Sequence, residues 1–117
     1  QQTLSSTTLF KLDSATLSVD GEAELRKLAG YINGLGSRIS DIKVTGFTCD
    51  LGSEMYNQGL SLRRAQAGAA FLAREGLSSG LMDVSGMGES SPVASNANEA
   101  GRSQNRRVEV HIGTTNP

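Results

Sequence analysis

Residues 44–70 read VTGFTCDLGSEMYNQGLSLRRAQAGAA and gather the side chains best suited to chemistry: Thr48, Cys49, Asp50 and the adjacent arginines Arg63 and Arg64. Arginine offers a rigid fork of donors that matches a carboxylate bidentately and stays charged at any relevant pH. The loop ahead of the predicted helix adds a hydroxyl, an acid and backbone N–H groups at a helix N-terminus, where the macrodipole favours negative charge. This combination points to capture of an anionic group. Gly46 and Gly52 bracket the loop and allow backbone conformations or close approaches that a side chain would obstruct. The arginines stand about three helical turns in, so they meet the loop only if the segment between bends back. Asn57-Gln58-Gly59 is the expected bend, because a glycine inside a helix costs about 1 kcal/mol relative to alanine. An irregular first turn or a short separate helix is therefore predicted, then regular helix from about Leu60.

Covalent and metal chemistry are not expected. A cysteine near an arginine and a helix N-terminus suits a reactive thiol, but the single histidine, His111, falls on the last predicted strand with no route to the loop. A thiol–imidazole pair is thus missing. One Cys and one His give no metal-ligand spacing. The expectation is no catalytic residue, no metal and no cofactor.

The elements that must position these residues follow from periodicity. Residues 1–6 are polar and read as frayed; Thr7-Thr8-Leu9-Phe10 reads as a short strand, followed by a loop with Asp13 and Ser14 at its tip. Ser18 or Asp20 caps a helix whose apolar stripe is Ala23, Leu25, Leu28, Ala29, Ile32 and Leu35, ended by Asn33-Gly34 and Gly36. Ile39 to Gly46 follows as a strand with Ile42, Val44 and Gly46 on one face. After the central loop, Leu60, Ala67, Ala70, Phe71 and Leu72 mark the buried stripe of a second helix, closed by Gly76. Leu81 to Gly86 is a third strand, with Met82 and Val84 inward. A long loop, one helical turn at Glu99 to Gln104 and a fourth strand on Val108, Val110 and Ile112 complete the chain. The predicted fold is α+β: a two-layer sandwich, β-α-β-α-β-(short helix)-β, with a four-stranded mixed sheet and two helices on one face.

With 117 residues the chain is one domain, large enough for a single core. A net charge of −1, no tryptophan and few aromatics exclude a basic field or a stacking surface for nucleic acid. There is no run of about 18 apolar residues and no basic-then-apolar N-terminal signal, so no membrane insertion by this domain is expected.

Several ordered motifs carry a family resemblance. Gly46-Phe47-Thr48-Cys49, Gly52-Ser53, Tyr56-Asn57-Gln58-Gly59-Leu60-Ser61 and Arg63-Arg64-Ala65 are followed by Gly86-Met87-Gly88-Glu89-Ser90-Ser91-Pro92 and Gly101-Arg102-Ser103-Gln104-Asn105-Arg106-Arg107-Val108-Glu109, and preceded by Leu9-Phe10-Lys11-Leu12-Asp13-Ser14-Ala15. Over about residues 9–112 the chain resembles the OmpA-like domain. That domain is the C-terminal, peptidoglycan-associated module of outer-membrane protein A, peptidoglycan-associated lipoprotein and flagellar stator subunits. The resemblance implies non-covalent binding of a diaminopimelate-type peptidoglycan stem peptide. It implies a periplasmic location in a Gram-negative bacterium, with an export signal and a membrane anchor in a longer parent chain, and envelope-complex proteins as further partners.

It also implies roles. Arg64 would hold a diaminopimelate carboxylate, whereas Arg63 reads as an ordinary surface arginine. Cys49 stands where the family usually has an aspartate that meets the ligand's ammonium, and a thiol near its ordinary pKa cannot replace that charge. Weaker or altered binding, or an interaction module that has lost the ligand, follows as the alternative. Asp50 is the neighbouring acid that would restore the contact by turning inward. Leu12 and Asp13 lie in the loop that lines the same pocket, although Asp13 reads equally well as a turn residue. Thr48 either bonds the ligand or caps the loop; Asn57 either contacts the ligand or orders the turn. Leu60 forms apolar wall and core together. One of Arg106 and Arg107 reaches the rim, and Arg107 is assigned to it.

Overall fold

The computed structural model describes residues 2–11 and 13–115. Strands β1 (Gln2–Ser5), β2 (Ile39–Phe47), β3 (Met82–Gly86) and β4 (Arg107–Thr114) form one sheet in the order β1-β4-β2-β3. Its pairings are antiparallel except for β2 against β3, which run parallel. Helices α1 (Ser6–Leu9), α2 (Val19–Asn33), α3 (Glu54–Arg74) and α4 (Glu99–Asn105) complete the α+β fold. Alternation along β2 buries Ile42, Val44 and Gly46 and leaves Asp41, Lys43 and Thr45 on the other face. The buried set meets Val108 and Val110 of β4, Leu25, Leu28, Ala29 and Ile32 of α2, and Ala65, Phe71 and Leu72 of α3 in one apolar core. Among the described residues no helix is long and apolar enough to cross a membrane.

The first strand is not where β-propensity puts it. Gln2–Ser5, expected to fray, pairs with β4 in the register Gln2↔Val110 to Ser5↔Arg107. Thr7–Phe10, expected as a strand, instead lies on one helical turn and its exit, entered where the Ser6 N–H donates to the Arg106 carbonyl. Main-chain ladder bonds do not depend on apolar side chains, so a polar segment can serve at an edge. Gln2–Ser5 takes the edge of β4 as far as Arg107, and Leu9 and Phe10 turn off the sheet into the core, Leu9 wholly buried.

Helix α3 also differs from expectation. It is continuous through Gly59, with Ser53 as its cap accepting from the Tyr56 N–H at 3.1 Å. One interior glycine costs too little to interrupt a helix of 21 residues packed on a sheet. Its buried stripe includes Ser61, Arg64 and Gly68, whereas Ala70, like Ala23 of α2, faces solvent. The reason is how close the helix sits. A Cβ on Gly46 would lie 2.1 Å from the Ser61 carbonyl oxygen, and one on Gly86 would lie 2.4 Å from the Leu62 nitrogen. Backbone, rather than alanine methyls, meets the sheet there. Ser61 Oγ donates to the Gln58 carbonyl and accepts from the Gly88 N–H, both at 2.9 Å.

The far face of the sheet is closed at one end by Arg107, only 3% exposed. Its guanidinium lies 3.8 Å from the Phe47 ring centroid, and its Nε donates to Glu109 Oε2 at 2.6 Å. Nη1 and Nη2 donate to the Asn105 and Ser91 carbonyls at 3.1 and 3.0 Å. Burial alone would raise the Glu109 carboxyl, but hydrogen bonds from Arg107 and His111 outweigh it and hold the group below the ordinary carboxylate range.

Gly46→Ala should destabilise the fold by about 2–3 kcal/mol, since neither backbone can yield locally. Gly30→Ala, where a Cβ meets nothing within 4 Å, should stabilise it by about 0.5–1 kcal/mol. Urea unfolding of the two variants checks the contrast. Glu109→Gln should cost about 3 kcal/mol at neutral pH, because it strands a buried guanidinium. A folded pKa below the unfolded one gives stability that is present above the unfolded value and lost as pH falls through the folded value. The difference between wild type and Glu109→Gln should therefore shrink below the ordinary carboxylate pKa, which melts across an acid pH series will show.

Candidate functional site

Arg64 is 6% exposed, an unusual state for a helix arginine, and two contacts account for it. Its Nε donates to the Ser14 carbonyl at 3.0 Å, and its guanidinium carbon lies 5.3 Å from the Phe10 ring centroid. Both partners come from the turn after α1. There the Lys11 N–H donates to the Thr16 carbonyl at 2.9 Å, the Ser14 N–H returns to the Lys11 carbonyl at 3.2 Å, and Phe10 and Leu17 form an isolated bridge. Asp13 sits in this turn at φ +51°, a left-handed conformation that aspartate tolerates. The turn thus offers a carbonyl and an aromatic face to the helix.

The guanidinium looks into an open cleft of about 490 Å³. Phe10, Lys11 and Asp13 line it from the turn after α1, Glu99, Ser103 and Arg106 from α4 and its exit, and Arg64 from α3. Burial lowers the proton affinity of Arg64; Tyr56 and Asp13 oppose that effect and the nearby charge of Arg106 adds to it. The group remains a cation at any physiological pH. Three cations and two carboxylates line the cleft, and one carboxylate is already paired: Glu99 accepts from Arg106 and, at 3.2 Å, from Arg102. These bonds hold the Glu99 carboxyl below its usual range and raise Arg106. What is left over is positive charge beside an aromatic wall, which suits a carboxylate-bearing ligand.

The central loop contributes framework to this cleft. Thr48 is buried; its N–H donates to the Gly88 carbonyl at 2.7 Å and its Oγ1 to the Cys49 carbonyl at 2.9 Å. Asn57, also buried, donates from Nδ2 to the Cys49 and Leu51 carbonyls at 3.3 and 2.9 Å, so it orders the loop. Cys49 is 5% exposed, and its Sγ accepts from Arg106 Nη1 at 3.5 Å. Asp50 is exposed and Leu60 is buried. None of these five borders the cleft that Arg64 lines. The structure brings Arg64 and Asp13 together there, and Leu12 lies outside the described residues.

Of the two late arginines, Arg106 lines the cleft and Arg107 does not. Arg107 is spent on Glu109 and two carbonyls on the far face of the sheet. Successive residues in extended backbone point to opposite sides, so only one of the two can border this cleft, and it is Arg106 rather than the Arg107 expected at the rim. Lys11 and Glu99 were missed as cleft residues. The periodicity of α4 gave no hint of where its first turn would point. Asn105, wholly buried, was missed as well: its Oδ1 accepts from the Val93 and Ala94 N–H groups at 2.8 and 3.0 Å and so pins the long loop beside α4.

Comparison with known proteins agrees with this architecture. The family model described as "OmpA family" matches residues 9–106. The chain is 35% identical over 119 aligned residues to outer membrane protein A of Escherichia fergusonii, covering 94% of this chain and 49% of that protein. Against another outer membrane protein A, from Escherichia coli O157:H7, the coverage is 34%, so the chain spans between a third and a half of these relatives. Among solved structures, the cell wall anchor of the T6SS from Pseudomonas aeruginosa superposes with a TM-score of 0.85 at 28% identity, covering 97% of this chain and 80% of that one. The peptidoglycan-associated lipoprotein from Burkholderia pseudomallei gives 0.79 at 28% identity, covering 96% and 90%. With the family pattern running through the helix that carries Arg64 and on to the end of α4, this chain belongs to the OmpA family.

Proposed function

We propose that this domain is a non-catalytic binding module that holds a peptidoglycan stem peptide of the diaminopimelate type and so tethers an envelope protein to the cell wall. The observation that carries the reading is Arg64: a buried guanidinium, fixed by the Ser14 carbonyl and the Phe10 ring, that lines an open cleft. Membership of the OmpA family and likeness to proteins named as a peptidoglycan-associated lipoprotein and a cell wall anchor support it. Pre-fixing the fork lowers the ordering cost of binding a carboxylate. Asp13 borders the same cleft and supplies a carboxylate for a ligand ammonium. Thr48, Asn57 and Leu60 act from behind, holding the loop and the start of α3. On this reading the domain works in the periplasm of a Gram-negative bacterium, in a parent protein attached to the outer or inner membrane.

A second reading is favoured by Cys49. Its thiol is buried under Arg106, at the position where the OmpA-like pattern usually has an aspartate, while Asp50 is exposed. On that reading the domain keeps the fold as an interaction module of an envelope complex, with peptidoglycan binding weakened or lost.

Arg64→Lys keeps the charge and removes the fork. It should lower binding to purified sacculi and to diaminopimelate about 30-fold or more, the effect of losing about 2 kcal/mol from a desolvated charge pair. Retention of normal sacculus pull-down by folded Arg64→Lys and Arg64→Ala would refute the assignment. Cys49→Asp separates the two readings. A gain in sacculus binding identifies a working but weakened pocket; absence of binding before and after the change supports the interaction module.

A further inference from the structure

The cleft contains a second guanidinium that capture of one carboxylate does not use. Arg106 enters it from the residue before β4, with Nη1 on Cys49 Sγ and Nη2 donating to Glu99 Oε2. Arg102 Nε holds the other oxygen of Glu99 at 3.2 Å. Glu99 is thus gripped by two arginines although its side chain is 63% exposed, and it borders the same space as Arg64. The chain itself has placed a carboxylate on the second cationic station.

We propose that Glu99 is a built-in competitor for Arg106, a specificity-determining residue that limits how strongly the cleft grips a ligand with two carboxylates. The proposal rests on the stem-peptide reading and names the feature being discriminated: the second carboxylate of diaminopimelate, which lysine lacks. A carboxylate arriving at Arg106 meets the like charge of Glu99 and gains only the difference between two similar ion pairs. Arg64 has no such occupant among the described residues: its bond to Ser14 is to a neutral carbonyl, and Asp13 acts on it through its charge without an ion pair. The first carboxylate therefore displaces no ion pair, and the second must displace one. The opposite role for Glu99, as counter-charge for a ligand ammonium, would bring that ammonium against the two guanidiniums that already hold both its oxygens.

Calorimetric titration of wild type, Glu99→Gln, Arg106→Gln and the Glu99→Gln/Arg106→Gln double variant with diaminopimelate and with lysine tests this. Thermal melts check that each variant is folded. Removing an exposed competing pair should tighten diaminopimelate binding by Glu99→Gln about two- to fivefold. Lysine binding should not change, and the gain should vanish in the double variant. Unchanged diaminopimelate binding in Glu99→Gln overturns the proposal. So does weaker binding, which would make Glu99 a ligand contact, and so does an equal gain for lysine, which would show only a general charge effect. If wild type binds diaminopimelate and Arg64→Ala does not, any of these failures leaves the stem-peptide reading standing. If neither wild type nor Glu99→Gln binds, that reading falls and the competitor role falls with it.

Discussion

The main chain of α3 lies directly against two glycines of the sheet, and this contact sets where everything functional can be. Gly46 on β2 and Gly86 on β3 are register partners, and both abut the Ser61–Leu62 backbone. Such a contact tolerates no side chain at either strand position, so it fixes the height of the helix over the sheet and its rotation together. Arg64 stands one turn further on, and its direction is therefore settled before any contact of its own is made. Asn57 and Gln58, one turn earlier, are fixed by the same seat. Asn57 reaches the loop after β2, and Gln58 Nε2 donates to the Gly86 carbonyl at 2.5 Å.

A buried cation needs compensation, and the turn after α1 provides it. Taking a guanidinium out of water is costly unless its donors find acceptors. Here one donor meets a carbonyl and one face meets an aromatic ring, while the edge toward the cleft stays accessible. The arrangement stabilises the charge enough to keep it in place without using up the fork. Arg107 shows the contrasting case. It is similarly buried, but a carboxylate and two carbonyls engage each of its three nitrogens and a ring covers one face. Burial alone does not separate the two roles. The difference lies in whether the partners are complete.

This explains which parts of the molecule could be read from residue order. The two long helices, the three later strands and the mixed sheet were legible because apolar spacing and chain punctuation report local geometry. The first strand was not, since Gln2–Ser5 owes its conformation to an edge of β4 far along the chain, and Thr7–Phe10 lost its preference once that edge was filled. The bend expected at Gly59 followed from propensity without the sheet contacts that override it. Arg64 was legible from its family motif. Its neighbours Lys11, Glu99 and Arg106 were less so, because Lys11 comes from the turn after α1 and Glu99 and Arg106 from the two ends of α4, and nothing in either segment shows that they meet.

The two Arg-Arg pairs make the same point physically. On α3, Arg63 and Arg64 are separated by about 100° around the axis, so one is exposed while the other is buried. At the start of β4, Arg106 and Arg107 are separated by the pleat, so one turns to the cleft and the other to the far face of the sheet. Each pair thus delivers one guanidinium to the cleft and one elsewhere, by two different periodicities. The charge of the cleft then depends on what each delivered arginine finds there. Arg64 finds a neutral carbonyl; Arg106 finds Glu99 on one side and the Cys49 sulfur on the other. Nη1 of Arg106 already reaches position 49 while Nη2 holds Glu99, so both walls of the cleft meet on one guanidinium. With cysteine there, the charge-assisted pairing with Glu99 is the stronger of these two contacts of Arg106.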